Sequence, residues 1–252
     1  MRINGTNMGT RDILDLIGHT PLIQLKNEAI FAKAEFLNPG GSIKDRIAPA
    51  MIDGAERVGR LRPDSIIVEP TSGNTGIGIA LVGRLMGYRV RIVMPENMSE
   101  ERKKHIRDLG ADLVLTPARE SVGGAVACVR QMQAEDPRVF VPQQFENPDN
   151  PRAHYEQTAQ ELWRPMDGDV AAFVAGVGSG GTLQGVGTFL RERRPGVRIV
   201  AVEPKTVSAL LGHGPGLHRI QGIGDGFIPA ILDAKLVDEV VEVTDEAAIE
   251  TA

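Results

Sequence analysis

From residue 43 onward the apolar positions switch repeatedly between a helical period and an extended one. Ile47, Met51, Ile52, Ala55 and Val58 fall on one face of a helix, the stripe that a core-facing helix shows. Short runs rich in branched residues follow at Ser65–Glu69, Arg89–Met94, Ala111–Leu115 and Arg138–Val141, and these predict strands. Helical patterns lie between them, over about 74–86, 99–109 and 121–135. Ser99 fits the cap of the second, with Glu100 and Glu101 in a first turn where the helix dipole favours negative charge.

The Pro- and Asn-rich stretch Pro148–Pro151 interrupts this series. A second series then predicts a helix to about 163, a strand at 170–175, a helix at 181–193 and a strand at 197–202. Residues 204–227 are glycine-rich and aperiodic, which predicts a long loop with short ordered pieces, of the kind that is functional or mobile in compact domains. Glu239–Val243 reads as a strand, and Thr244-Asp245-Glu246 opens a helix. Alternation of this kind predicts an α/β fold of two domains, with mainly parallel sheets flanked by helices. The smaller domain is expected over 38–148, and the larger over 1–37 and 149–252. Because the sequence stops at Ala252, barely two turns into its last helix, the end of the larger domain is expected to be missing; helices that short are marginal alone.

Composition narrows the function classes. Apolar residues make up 42% and charged residues 24% of the 252, which is globular and not disordered. Only 4% are aromatic and the formal charge is −5, so nucleic acid is not an expected partner. Cys128 is the single cysteine, so neither an intrachain disulfide nor a thiolate metal cluster is expected. His154 and His218 lack metal-ligand spacing and are assigned no ligand role. Cys128 and Trp163 read as packed residues, and Lys103, Lys104 and His105 as a solvated helix face. Residues 1–14 carry charges instead of a basic segment followed by an apolar one, and no run approaches the ~20 apolar residues of a membrane span. A cytoplasmic protein without a membrane partner is expected.

Three loops carry candidate chemistry. Thr71-Ser72-Gly73-Asn74-Thr75-Gly76 stands where a predicted strand turns into a helix. Free N–H groups at such a start bind anions, although a plain capped turn uses the same residue types. Gly176-Val177-Gly178-Ser179-Gly180-Gly181-Thr182 is a second such turn. It lacks the Lys-Ser/Thr ending of a nucleotide loop, so a small phosphate ester suits it better than a nucleotide. Asn38-Pro39-Gly40-Gly41-Ser42-Ile43-Lys44-Asp45-Arg46 delivers one lysine just before an amphipathic helix. A lysine among apolar or cationic groups loses its proton readily and serves as an amine nucleophile or base; a solvated lysine does not.

In this order the three loops resemble the fold-type II pyridoxal-phosphate enzymes, the tryptophan synthase β-like group. Gly18-His19-Thr20-Pro21-Leu22, Gln143-Gln144-Phe145-Glu146-Asn147-Pro148 and Gln221-Gly222-Ile223-Gly224-Asp225-Gly226-Phe227-Ile228-Pro229 make the match more specific, to the cysteine synthase (O-acetylserine sulfhydrylase) family. The resemblance implies that pyridoxal 5'-phosphate is carried by Lys44, contacted by Asn74 and held at its phosphate by Gly178, Ser179, Gly180, Gly181 and Thr182. It implies that Thr71, Ser72, Gly73, Asn74, Thr75 and Gln144 bind the substrate, with Gly224 near the cleft mouth. The implied reaction makes L-cysteine from O-acetylserine and sulfide through an aminoacrylate, with Lys44 removing the Cα proton. The implied partners are a second copy of the chain and a serine acetyltransferase. Gln157-Thr158-Ala159 and Gly212-His213-Gly214 depart from the family pattern and put substrate preference in question. In the family a further segment past the position of residue 252 supplies a Ser or Thr facing the cofactor's ring nitrogen. A cystathionine β-synthase-like enzyme and a noncatalytic binding module are the competing readings.

Overall fold

The computed structural model describes residues 13–26, 29–71 and 73–251. An antiparallel hairpin of β1 (Leu22–Gln24) and β2 (Phe31–Lys33) comes first. A 3₁₀ turn, Ile43–Arg46, then leads straight into α1 (Ile47–Arg57). Next come β3 (Ile66–Pro70), α2 (Asn74–Leu85), β4 (Arg89–Pro95), α3 (Glu100–Asp108), β5 (Asp112–Thr116), α4 (Ser121–Glu135) and β6 (Val139–Phe140). The four strands form one parallel sheet in the order β5-β4-β3-β6.

Alternation along the strands sends Ile67, Val90, Ile92 and Met94 into a core with α1 and α2. Ile66, Val68 and Val93 meet Ala125 and Val129 of α4 on the other face. Both faces are covered, which is why these strands are nearly continuous apolar runs.

The second series starts with α5 (Asp149–Ala153), a π-helical turn (His154–Thr158) and α6 (Ala159–Trp163), which follow one another without a break. It continues with β7 (Ala172–Gly176), α7 (Gly181–Arg193), β8 (Arg198–Pro204), β9 (Glu239–Val243) and α8 (Asp245–Thr251). The strands pair in parallel in the order β7-β8-β9. Leu183, Val186, Phe189 and Leu190 of α7 pack on Ile199 and Ala201. Each such fully buried side chain contributes ~1.5–3 kcal/mol. Helix α5 touches both α1 and α7. Its approach to α7 is backbone to backbone, since a Cβ built at Gly185 would lie 2.1 Å from the Pro151 carbonyl oxygen.

The predicted α/β architecture with parallel sheets is the observed one, with three local differences. Val58 leaves the stripe: α1 ends at Arg57 and the chain turns through Gly59 at φ +71°, so Val58 is 65% exposed. Lys103 is buried while Lys104 and His105 are exposed; its ammonium donates to the Glu96 carbonyl at 2.6 Å and to Glu100 Oε1 at 2.7 Å. Trp163 is only partly buried, meeting Phe189 edge-on at the margin of the core. The loop expected at 204–227 has short ordered pieces as anticipated, two 3₁₀ turns at Lys205–Val207 and Ala209–Leu211. Among the described residues no helix is long and apolar enough to cross a membrane.

Candidate active site

Lys44 sits in the 3₁₀ turn, and local sequence explains its pose. Ser42 caps the turn, its hydroxyl accepting the Lys44 N–H at 3.2 Å. Buried Asn38 accepts the Gly18 N–H at 2.8 Å and donates to Glu35. Two residues beyond Lys44, Arg46 is almost wholly enclosed and forks onto two carboxylates. Its Nε and Nη2 donate to Glu35 at 2.6 and 2.7 Å, and its Nη1 and Nη2 to Glu161 at 2.8 Å each. Lys33 adds a bond to Glu161 Oε2 at 2.6 Å, and the His19 N–H another to Oε1 at 2.9 Å. Burial alone would raise the Glu161 pKa, but the bonds from Arg46, Lys33 and His19 override it and hold the carboxyl at about 2. Glu35 is likewise held below its usual range, burial being outweighed by Arg46.

Lys44 points away from this cluster into a cleft of about 1050 Å³ at the carboxyl ends of β3 and β7, the usual place for a ligand in parallel-sheet folds. Burial pushes its pKa down, and attraction to Asp225 opposes the shift. The two turns face each other across this space. In the first, the Thr71 hydroxyl accepts the Gly73 N–H at 3.0 Å, and buried Thr75 donates to Gln144 Oε1 at 2.8 Å. In the second, α7 begins at Gly181, and Ser179 and Thr182 beside that start line the cleft. A Cβ at Gly178 would stand 2.8 Å from the Gly222 carbonyl oxygen, so only glycine lets this turn pack against the Gly222–Asp225 segment.

The family profile described as "Pyridoxal-phosphate dependent enzyme" matches residues 13–252. The chain belongs to this pyridoxal-phosphate dependent enzyme family. Over 246 residues it is 46% identical to a cysteine synthase of Staphylococcus aureus, the match covering 95% of this chain and 79% of that protein. A hydrogen sulfide-producing enzyme of Fusobacterium nucleatum superposes with a TM-score of 0.92 at 38% identity, covering 97% of this chain and 82% of that one. A cysteine synthase of Entamoeba histolytica superposes at 0.91 with 40% identity, covering 98% of this chain and 76% of that one. The protein is thus a fold-type II enzyme whose cofactor is pyridoxal phosphate. The cleft fits that group: a desolvated amine, Lys44, and a glycine turn at a helix start, where a phosphate finds N–H donors.

Of the residues singled out in the sequence, Lys44, Thr71, Gly73, Asn74, Thr75, Gln144, Ser179, Thr182 and Gly224 line the one cleft. Gly178, Gly180 and Gly181 belong to the same turn and contribute backbone. Ser72 lies outside the described residues. The structure adds groups that the sequence reading passed over. His154, given no role, is buried with Nδ1 2.9 Å from the Thr158 hydroxyl and Nε2 3.2 Å from that of Thr182. Burial, with Lys44 and Arg46 nearby, lowers its pKa to about 3. The neutral ring therefore accepts from one hydroxyl and donates to the other. Asp225 and His218 also line the cleft. The resemblance located the Asp225 segment, but only the fold brings its carboxylate to Lys44.

Glu69, next to last in β3, is a buried carboxyl whose Oε2 has no partner among the described residues, and burial pushes its pKa up to about 8. A raised carboxyl pKa means that the folded chain keeps a proton the unfolded chain has released. Stability is therefore expected to fall as pH rises from about 4.5 to about 8 and then level off. Glu69→Gln should remove this component, making the variant more stable than the parent at pH 9 but not at pH 4. Urea unfolding at both pH values is the check; parallel pH dependence of the two proteins would show that Glu69 is not titrating there.

Proposed function

We propose that this enzyme performs β-replacement on an activated serine, making L-cysteine from O-acetylserine and sulfide. The observation that carries the reading is a desolvated lysine placed between two helix-start turns, one suited to a phosphate and the other to a carboxylate. The cysteine synthase relatives support the same reaction. When bound, pyridoxal phosphate supplies an electron sink conjugated to the substrate's Cα. Lys44 holds the cofactor and, with its ammonium form disfavoured by burial, takes the Cα proton at Nζ. Asn74 hydrogen-bonds the cofactor's ring oxygen, and Gly178, Ser179, Gly180, Gly181 and Thr182 hold its phosphate. Thr71, Ser72, Gly73, Asn74 and Thr75, with Gln144, orient the substrate carboxylate so that the Cα hydrogen faces Lys44. Gly224 lies at the mouth. Acetate leaves Cβ with the electron pair of the Cβ–O bond, hydrosulfide adds there, and the proton held at Lys44 Nζ returns to Cα.

In this reading residues 38–148 form the smaller domain, and 1–37 with 149–252 the larger. The enzyme works as a cytoplasmic homodimer able to dock a serine acetyltransferase. The visible spectrum of the purified protein before and after O-acetylserine, with an assay for cysteine from sulfide, tests the reaction. An unchanged spectrum with no cysteine would refute it, and faster turnover with homocysteine would favour a cystathionine β-synthase-like enzyme.

The two turns are separable by mutation. Thr182→Ala is expected to weaken cofactor retention, and Thr75→Ala chiefly O-acetylserine binding. Each lost bond to a charged group costs ~1.5–3 kcal/mol, about 10- to 150-fold in affinity. Cofactor and substrate titrations of both variants check this, and equal losses of cofactor affinity would reverse the assignment of the turns.

A further inference from the structure

Beneath the cleft one side chain joins Ser179 of the second turn to Gln144, the residue that holds Thr75 of the first. Asn150, on α5, is fully buried, and its Nδ2 donates to the Gln144 carbonyl at 2.7 Å and to the Ser179 hydroxyl at 3.1 Å. Gln144 is the residue whose side chain holds Thr75 at 2.8 Å. An unbroken path thus runs from Thr75 through Gln144 and Asn150 to Ser179. The fit around Asn150 is close, since a Cβ at Gly181 would lie 1.8 Å from its Oδ1. The α5 backbone that carries Asn150 is pressed against α7 at Gly185, so the amide has little room to reorient.

We infer that Asn150 is a positioning residue that couples the phosphate turn to the substrate turn, so that occupancy of one tightens the other. The inference rests on the reading of the two turns given above. A single amide with two N–H donors fixes the distance between its acceptors. Ordering Ser179 around a phosphate therefore orders the Gln144 backbone, and through its side chain Thr75. Coupling of this kind is reciprocal. Its signature is that damage on the Ser179 side reaches substrate binding only while Asn150 is present.

The test is a double-mutant cycle of Ser179→Ala and Asn150→Ala in the holoenzyme, titrated with O-acetylserine by the change in cofactor absorption. A companion titration of each apoprotein with pyridoxal phosphate gives the cofactor affinity. Each single change is expected to raise both dissociation constants by about 3- to 10-fold, and the double variant to be no worse than the weaker single. Asn150→Asp, which keeps the shape but loses the donor, should behave like Asn150→Ala and serves where the alanine variant does not fold. The thermal shift that inorganic phosphate gives the apoprotein should shrink in the same variants. Fold-changes that multiply in the double variant, or an Asn150→Asp protein with both constants unchanged, would overturn the coupling alone. Absence of any spectral response in the parent protein would overturn the functional reading, and the coupling with it.

Discussion

Lys44→Ala is expected to end covalent capture of pyridoxal phosphate and to lower turnover by at least ~10²–10⁴-fold, the range that a positioned proton-transfer group supplies. Among the described lysines only Lys44 combines a depressed pKa with a place in the cleft. Lys33 is tied to Glu161, Lys103 to Glu96 and Glu100, and Lys104 to Asp108. Lys26, Lys205 and Lys235 are exposed. None of these shares the cleft with the two helix-start turns. Borohydride reduction of the holoenzyme followed by peptide mapping should find the label on Lys44 and none in the alanine variant. A label on another lysine would overturn the assignment.

The largest effect on stability is expected from Arg46→Met. Removing one partner of a buried ion pair costs ~3–5 kcal/mol, because the other charge stays buried without compensation. Here Glu35 and Glu161 would both lose a two-pronged donor and keep only the bonds from Thr20, Asn38, Lys33 and the His19 N–H. Arg46→Lys should recover only part of the loss, since an ammonium lacks the planar fork that gives each of the two carboxylates a pair of N–H bonds. The pH dependence follows in sign. Glu161 titrates at about 2 in the folded chain against an ordinary 4.5. Its stabilising contribution is therefore complete above about pH 4.5 and lost as pH falls toward 2. In Arg46→Met that acid-side slope should be much shallower. Urea unfolding of both proteins at pH 7 and pH 3 measures it, and an equal slope would assign the acid sensitivity elsewhere.

What the sequence made legible was local. The turn at Asn74, the helix at Gly181 and the strand at Glu239 start where periodicity and capping put them, because adjacent residues decide such boundaries. Lys44 was legible for the same reason, through the glycines and Ser42 before it. The groups around these turns were not. Glu161 is 115 residues from Arg46, and Asn150 lies 29 from Ser179, so no window of sequence holds both partners. His154 showed no periodic or motif signal for its role, because its partner Thr182 lies 28 residues away and only the fold brings the π-helical turn to it. Lys103 misled because its charge advertises solvent while its stem and bonds place it inside. Val58 misled because the stripe continues one residue past the helix that it predicts.

The Glu35–Arg46–Glu161 cluster also bears on how the chain reaches its native state. Closing a loop of that length carries an entropic cost that grows with the logarithm of the span, and contacts between distant residues form late. During synthesis the segment around Lys44 leaves the ribosome well before Glu161 exists to receive Arg46, and domains near the amino end fold first. The reactive amine should therefore stay an ordinary hydrated lysine in the nascent chain and acquire its lowered proton affinity only when the second sheet docks. Refolding followed by both far-ultraviolet dichroism and cofactor absorbance should show secondary structure returning before the cofactor is captured.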